Sequence, residues 1–81
     1  MHLGIYSLEG TLFDGTVSKI NAATTAGEVT ILDHHIPLIA HLAGPFVRMV
    51  DADEKEVIIK VSSGVLEVRE HGEVVILAGQ S

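Results

Sequence analysis

The stretch "EVIIKVSSGVLEVREHGEVVILA" (Glu56–Ala78) decides the fold class. Val57, Ile59 and Val61 alternate with Glu56, Ile58 and Lys60. That two-residue period belongs to a half-buried β-strand. Ser62-Ser63-Gly64 breaks the run, and Leu66 and Val68 then alternate with Glu67 and Arg69. His71-Gly72 supplies a hairpin turn. Val74 to Ala78 is apolar at every position, so it is expected at the centre of a sheet.

The same grammar extends upstream. Leu3 and Ile5, with His2, Gly4 and Tyr6 facing the other way, form a first strand. Glu9-Gly10 turns the chain into a long second run, Thr11 to Ala23, in which Gly15 of Asp14-Gly15 is expected to supply a bulge or a φ > 0 position. Ala26-Gly27 turns again into Glu28 to Leu32. Pro37 lacks an N–H and should open a fourth strand, Leu38 to Leu42. Gly44-Pro45 reads as a turn into Phe46 to Val50, and Asp51 to Lys55 as a solvated hairpin tip. No window carries a 3.6-residue apolar period. The expected architecture is all-β: a two-sheet antiparallel β-sandwich of about eight to ten short strands, with residues 1–81 as one domain.

Composition removes several function classes. The 81 residues hold no cysteine, so disulfides, zinc–thiolate sites and thiol nucleophiles are impossible. Five Lys and Arg against eleven Asp and Glu leave a net charge of −6, which argues against nucleic acid and anionic lipid as partners. The longest apolar stretch, Ile36 to Val47, is broken by Pro37, His41 and Pro45, so no direct membrane insertion is expected.

His34-His35, His41 and Glu28 are the candidate metal ligands. Neighbouring residues on a strand point to opposite faces, so His34 and His35 cannot easily share an ion. On one strand, His35 and His41 would lie roughly 20 Å apart. A small cupin-like metal-dependent enzyme using His34, His35 and His41 is the alternative reading, but a cupin's His-x-His spacing is missing. Asp51-x-Asp53-Glu54 lacks the glycine and the distal Glu of a calcium loop. Glu67 and Glu73 flank a hairpin and are expected to face water. No catalytic, cofactor or metal residue is assigned.

Five segments together resemble the N-terminal β-sandwich of the epsilon subunit of F-type ATP synthases. Leu12-Phe13-Asp14-Gly15 with Val17 is similar to the family's Leu-Phe-x-Gly-x-Val, and Gly27-Glu28-Val29-Thr30-Ile31-Leu32 to its Gly-Glu-x-Gly-Ile-Leu. His35-Ile36-Pro37-Leu38-Ile39 resembles His-x-Pro-Leu-Ile, and Ser62 to Val68 resembles Ser-Gly-Gly-x-Leu-Glu-Val. Val74 to Ala78 resembles the closing Val-x-Val-Leu-Ala. The order and spacing of all five carry the resemblance. Asp33, Thr30 and the inverted Gly44-Pro45 depart from the family pattern and bear on turn geometry.

The resemblance implies a non-catalytic rotor piece in the central stalk, coupling ion translocation to ATP synthesis and hydrolysis. It implies contact with the c-ring through Gly27, Glu28 and Val29. It implies contact with the gamma subunit through Ser7, His35, Ile36, Pro37 and Leu38, with Ile36, Leu38 and Val65 as an apolar patch. It further implies a peripheral position on the cytoplasmic face of a bacterial inner membrane, held there by the complex. Family members continue into a C-terminal helical hairpin, whereas this chain ends at Gly79-Gln80-Ser81. Neither inhibition of hydrolysis nor ATP binding is therefore expected of it.

Overall fold

The computed structural model of the protein describes residues 1–79. Gln80 and Ser81, on which part of the expectation about the chain's ending rests, lie outside the described residues. Seven strands run β1 (His2–Ser7), β2 (Gly10–Thr24), β3 (Gly27–Leu32), β4 (Leu38–Asp51), β5 (Glu56–Lys60), β6 (Gly64–Val68) and β7 (Glu73–Ala78). The all-β sandwich expected from the alternation is what forms. The count is seven because Leu38–Leu42 and Phe46–Val50 are halves of one strand, and Gly44-Pro45 lies inside it.

Two strands are too long for one layer. Fifteen residues of β2 would reach roughly 50 Å if straight, yet the longest extent of the molecule is 29 Å. So β2 bends, and its first half pairs with β1 while its second half pairs with β3 and β4. β4 does the same, pairing with β6 through Leu38–Leu42 and with β5 through Phe46–Val50. The bend in β4 coincides with a register shift: Ala22 faces Val47 and Thr24 faces Leu42, leaving Ala43–Phe46 opposite Ala23 alone. Sheet I is thus β2-β1-β7-β6-β4, and sheet II is β3-β2-β4-β5.

The ring β2-β1-β7-β6-β4-β2 has five members. Strict antiparallel alternation cannot close around an odd number. One pair must be parallel, and it is β1 with β7. The expectation of antiparallel pairing is corrected at this pair. The bulge is corrected too. It falls at Leu12, because Ile5 faces Phe13 and Tyr6 faces Thr11, whereas Gly15 sits in regular register opposite Leu3.

The inner faces form four rows of cross-strand neighbours. In sheet I these are Leu3, Val74, Val68, Leu38 and Ile5, Ile76, Leu66, Ala40. In sheet II they are Ile31, Ile20, Met49, Val57 and Val29, Ala22, Val47, Ile59. Most are fully buried in one cluster, and the burial of such side chains from water is the main term favouring the folded state.

Candidate functional site

The outer faces of the two sheets differ in chemistry. On sheet II, Lys19, Asn21, Glu28, Thr30, Arg48, Glu56 and Lys60 point outward among a few apolar residues. Asn21 Nδ2 donates to Thr30 Oγ1 at 2.9 Å. On sheet I one outer row is Tyr6, Leu77, Val65, His41, and the next is Gly4, Val75, Glu67, Ile39. Leu77 is 57% exposed and Ile39 is 69% exposed. Gly4 carries no side chain, and the Tyr6 ring lies against it where a Cβ would stand. Sheet I therefore presents an apolar strip of Leu77, Val65, Val75 and Ile39 bordered by His41 and Glu67, while the exposed apolar residues of sheet II, Leu32, Phe46 and Ile58, stand among its charged ones. A contiguous apolar strip is uncommon on an unpartnered surface.

The residues assigned from sequence fall around that strip. Gly27, Glu28 and Val29 open β3 directly after the Thr25-Ala26 turn from β2. Glu28 is exposed and Val29 packs half-buried on the core. Thr24 Oγ1 donates to Gly27 O at 2.6 Å and accepts from Ala26 N at 3.2 Å. The adjacent Thr25 N donates to His41 O at 2.9 Å, which ties the turn to β4. His35, Ile36 and Pro37 lie in the β3–β4 loop beyond the far end of β3, a strand about 17 Å long from Gly27 to Leu32 at the usual rise per residue. Leu38 opens β4 and is half-buried against the core, whereas Ile36 is exposed.

Ser7 is not beside that loop. It ends β1 at the opposite end of sheet I, where its hydroxyl donates to Gly10 O at 3.2 Å and accepts from Glu9 N at 3.2 Å. The structure brings Ser7 and the 35–38 segment together only in the sense that the apolar strip runs between them. Leu77, Val75 and Ile39 in the strip are not among the residues assigned from sequence. The available signal was the run Val74 to Ala78: a strand apolar on both sides, in a two-layer body, has one face left without an internal cover.

The histidines do not converge. Among the described residues no three His, Asp or Glu side chains are placed to hold a metal ion. His34 takes a left-handed turn conformation with φ 67°. His35 Nδ1–H donates to Ile36 O at 2.7 Å, and His41 sits on β4 opposite Val65. The cupin-like alternative is therefore corrected: His34 in its turn, His35 in the β3–β4 loop and His41 on β4 form no ligand group among the described residues. Asp51 Oδ1 accepts from the N–H groups of Asp53 (2.8 Å) and Lys55 (3.0 Å), which closes the acidic segment as a hairpin tip. Glu67 pairs with Arg69 at 3.0 Å, away from Glu73. Asp33, where the family pattern has proline, pairs with the Met1 ammonium at 3.1 Å.

An unforeseen histidine does make a charged contact. His2 on β1 bonds Asp14 of β2 through Nε2 (2.6 Å) and Glu73 of β7 through Nδ1 (2.8 Å). No sequence motif marks it, because its partners are 12 and 71 residues away. The bond to Asp14, then that to Glu73, raises the imidazole above its ordinary 6.5. A raised folded value means that the clasp stabilises fully below about pH 6.5 and fades as pH rises through the folded value. His2→Gln is expected to lower the melting temperature at pH 5.5 and to make little difference at pH 9. Thermal melts across that range check this, and an equal loss at both ends would refute it.

Comparison with known proteins gives this geometry its relatives. The family described as "ATP synthase, Delta/Epsilon chain, beta-sandwich domain" matches residues 1–81. The ATP synthase epsilon chain of Nitrosococcus oceani is 41% identical over 71 residues, covering 88% of this chain and 51% of that one. That of Dichelobacter nodosus is 40% identical over 77 residues, covering 95% and 53%. The chain thus spans about half the length of the relatives it matches. Among solved structures, a chain of the Euglena gracilis mitochondrial ATP synthase OSCP/F1/c-ring assembly superposes with TM-score 0.85 at 21% identity, covering 96% of this chain and 49% of that one. A chain of the Tetrahymena thermophila mitochondrial ATP synthase central stalk/c-ring superposes at 0.78 and 15% identity, covering 99% and 63%. At these identities the two superpositions speak for the fold. With the family matched along its whole length and two epsilon chains near 40% identity, this chain belongs to the ATP synthase delta/epsilon chain β-sandwich family.

Proposed function

We propose that the chain is the β-sandwich of a non-catalytic rotor subunit in an F-type ATP synthase, linking gamma to the c-ring in the central stalk. Family membership along residues 1–81 supports the assignment, and the apolar strip on sheet I suggests how gamma docks. Residues 1–81 act as one domain in this reading, in line with the single buried cluster that all seven strands surround or supply. Gamma lies along the outer face of sheet I, over Leu77, Val65, Val75 and Ile39. It reaches Ser7 at one end and His35, Ile36, Pro37 and Leu38 at the other. The turn at Gly27, Glu28 and Val29 meets the c-ring, with Glu28 accepting from donors there. Sheet II, with its mixed charges, stays toward water. The subunit sits on the cytoplasmic face of a bacterial inner membrane, held by the complex. Among the described residues no helix is long and apolar enough to cross a membrane.

Glu28 is exposed, so its contribution is a charge-assisted hydrogen bond at a rim. In the assembled rotor, Glu28→Ala is expected to weaken c-ring association about three- to tenfold, with the deficit shrinking as salt screens the wild-type contact. Gamma affinity should stay within twofold. Co-purification and dissociation kinetics at two ionic strengths test this, and failure of the wild-type chain to associate with gamma would end the reading.

A further inference from the structure

We propose that Thr24 is the positioning residue of the c-ring-facing turn, acting through its hydroxyl and not through its contribution to the core. The inference rests on the reading of Gly27, Glu28 and Val29 as the c-ring contact. Among the described residues Thr24 is the one polar residue that is buried, at 9% exposure. Its Oγ1 spans the turn, donating to Gly27 O and accepting from Ala26 N. Gly27 holds φ at +119°, and nothing stands within 4 Å of where its Cβ would be. Sterics therefore do little to fix this turn. The β2–β3 ladder closes it with Thr24 opposite Gly27, and two further hydrogen-bonded anchors hold it there: the Thr24 hydroxyl from inside, and the Thr25 N–H to His41 O bond from β4.

The consequence follows from where the freed groups would point. Ala26 and Gly27 are exposed residues and both bonds are only partly buried, so water should take over part of the hydroxyl's bonding. Removing it should then cost the folded state less than the loss of a fully buried hydrogen bond. It does release the turn to sample other geometries, and a partner must then order Glu28 on binding. Interface affinity should suffer more than stability. Thr24→Val keeps the shape and buried volume while deleting both bonds, and Thr24→Ser keeps the hydroxyl.

The test uses the full subunit that carries this domain, bound to gamma, with c-ring affinity and gamma affinity measured separately. Thr24→Val should weaken c-ring binding about three- to tenfold, the range of one lost hydrogen bond. Gamma affinity should be unchanged within twofold, and Thr24→Ser should restore c-ring binding. Amide exchange at Ala26 should quicken in Thr24→Val only. If Thr24→Val binds the c-ring normally while Glu28→Ala does not, the inference fails and the contact assignment stands. If neither substitution matters, the contact assignment fails and the inference falls with it. Equal loss of gamma binding, or no rescue by serine, would show that Thr24 serves packing and would overturn the proposal.

Discussion

Leu77→Asp is expected to abolish gamma docking at working concentrations while leaving the domain folded. Leu77 stands at the middle of the outer row of sheet I, between Tyr6 and Val65. Its side chain is mostly exposed in the isolated chain, so the substitution removes little intramolecular packing. In the proposed complex the same position is desolvated. The cross-strand neighbours of this position, Tyr6 and Val65, offer a carboxylate no cation, and Arg69 is already paired with Glu67. Truncating a central apolar anchor and burying an unpaired charge together cost on the order of 2–4 kcal/mol. That corresponds to a loss of roughly thirty- to a thousandfold in affinity. Titration calorimetry against gamma reads the loss, and a melting temperature within about 3 °C of wild type shows that the fold is intact. Binding within threefold of wild type would mean that gamma does not use this face.

The largest effect on stability is expected at Gly64, where β6 begins. Its φ is +149°, which L side chains rarely adopt, and a Cβ there would strike the Leu77 carbonyl oxygen. The Ala78 Cα stands 3.1 Å from the same point. Both obstacles are backbone of β7, held by the Gly64–Ala78 and Val65–Leu77 pairs, so no side chain can swing aside. Gly64→Ala must therefore open the end of the β6–β7 ladder, for about 2–4 kcal/mol from strain and overpacking. A domain of 81 residues has a stability of roughly 4–12 kcal/mol, so the loss should lower the melting temperature by about 10–25 °C. Gly27→Ala is the control. It has the positive φ without the collision, and should cost only about 1 kcal/mol. Urea melts of both variants separate the steric part from the conformational part. A Gly64→Ala protein as stable as the control would refute the argument.

Much of the architecture could be read from single residues. The alternation in Leu3–Ile5, Val57–Val61 and Leu66–Val68 assigned each inward side chain correctly, because burial on one face imposes the two-residue period directly. The all-apolar Val74–Ala78 run was rightly placed between neighbours, and β7 does lie between β1 and β6. Gly44-Pro45 was misplaced as a chain reversal. Locally it has the residues of a turn, and only the pairing of both flanks with the same strand β2 keeps β4 continuous. The bulge at Leu12 escaped for a similar reason: Gly15 looked permissive, but register is decided by the strand opposite.

The residues proposed for docking divide in the same way. Glu28 and the His35–Leu38 segment could be picked out because family-like motifs mark them. The His2 clasp, the Thr24 anchor and the strip over Leu77 carried no local mark. By itself the order of residues determined which positions face inward, the chain's β character and its kinship. Only the folded chain decided which layer each half of β2 and β4 joins, which strand pair runs parallel, and which outer face stays apolar. Those depend on hydrogen bonds between segments tens of residues apart, and pairing energies of that kind are properties of two strands at once, not of either one alone.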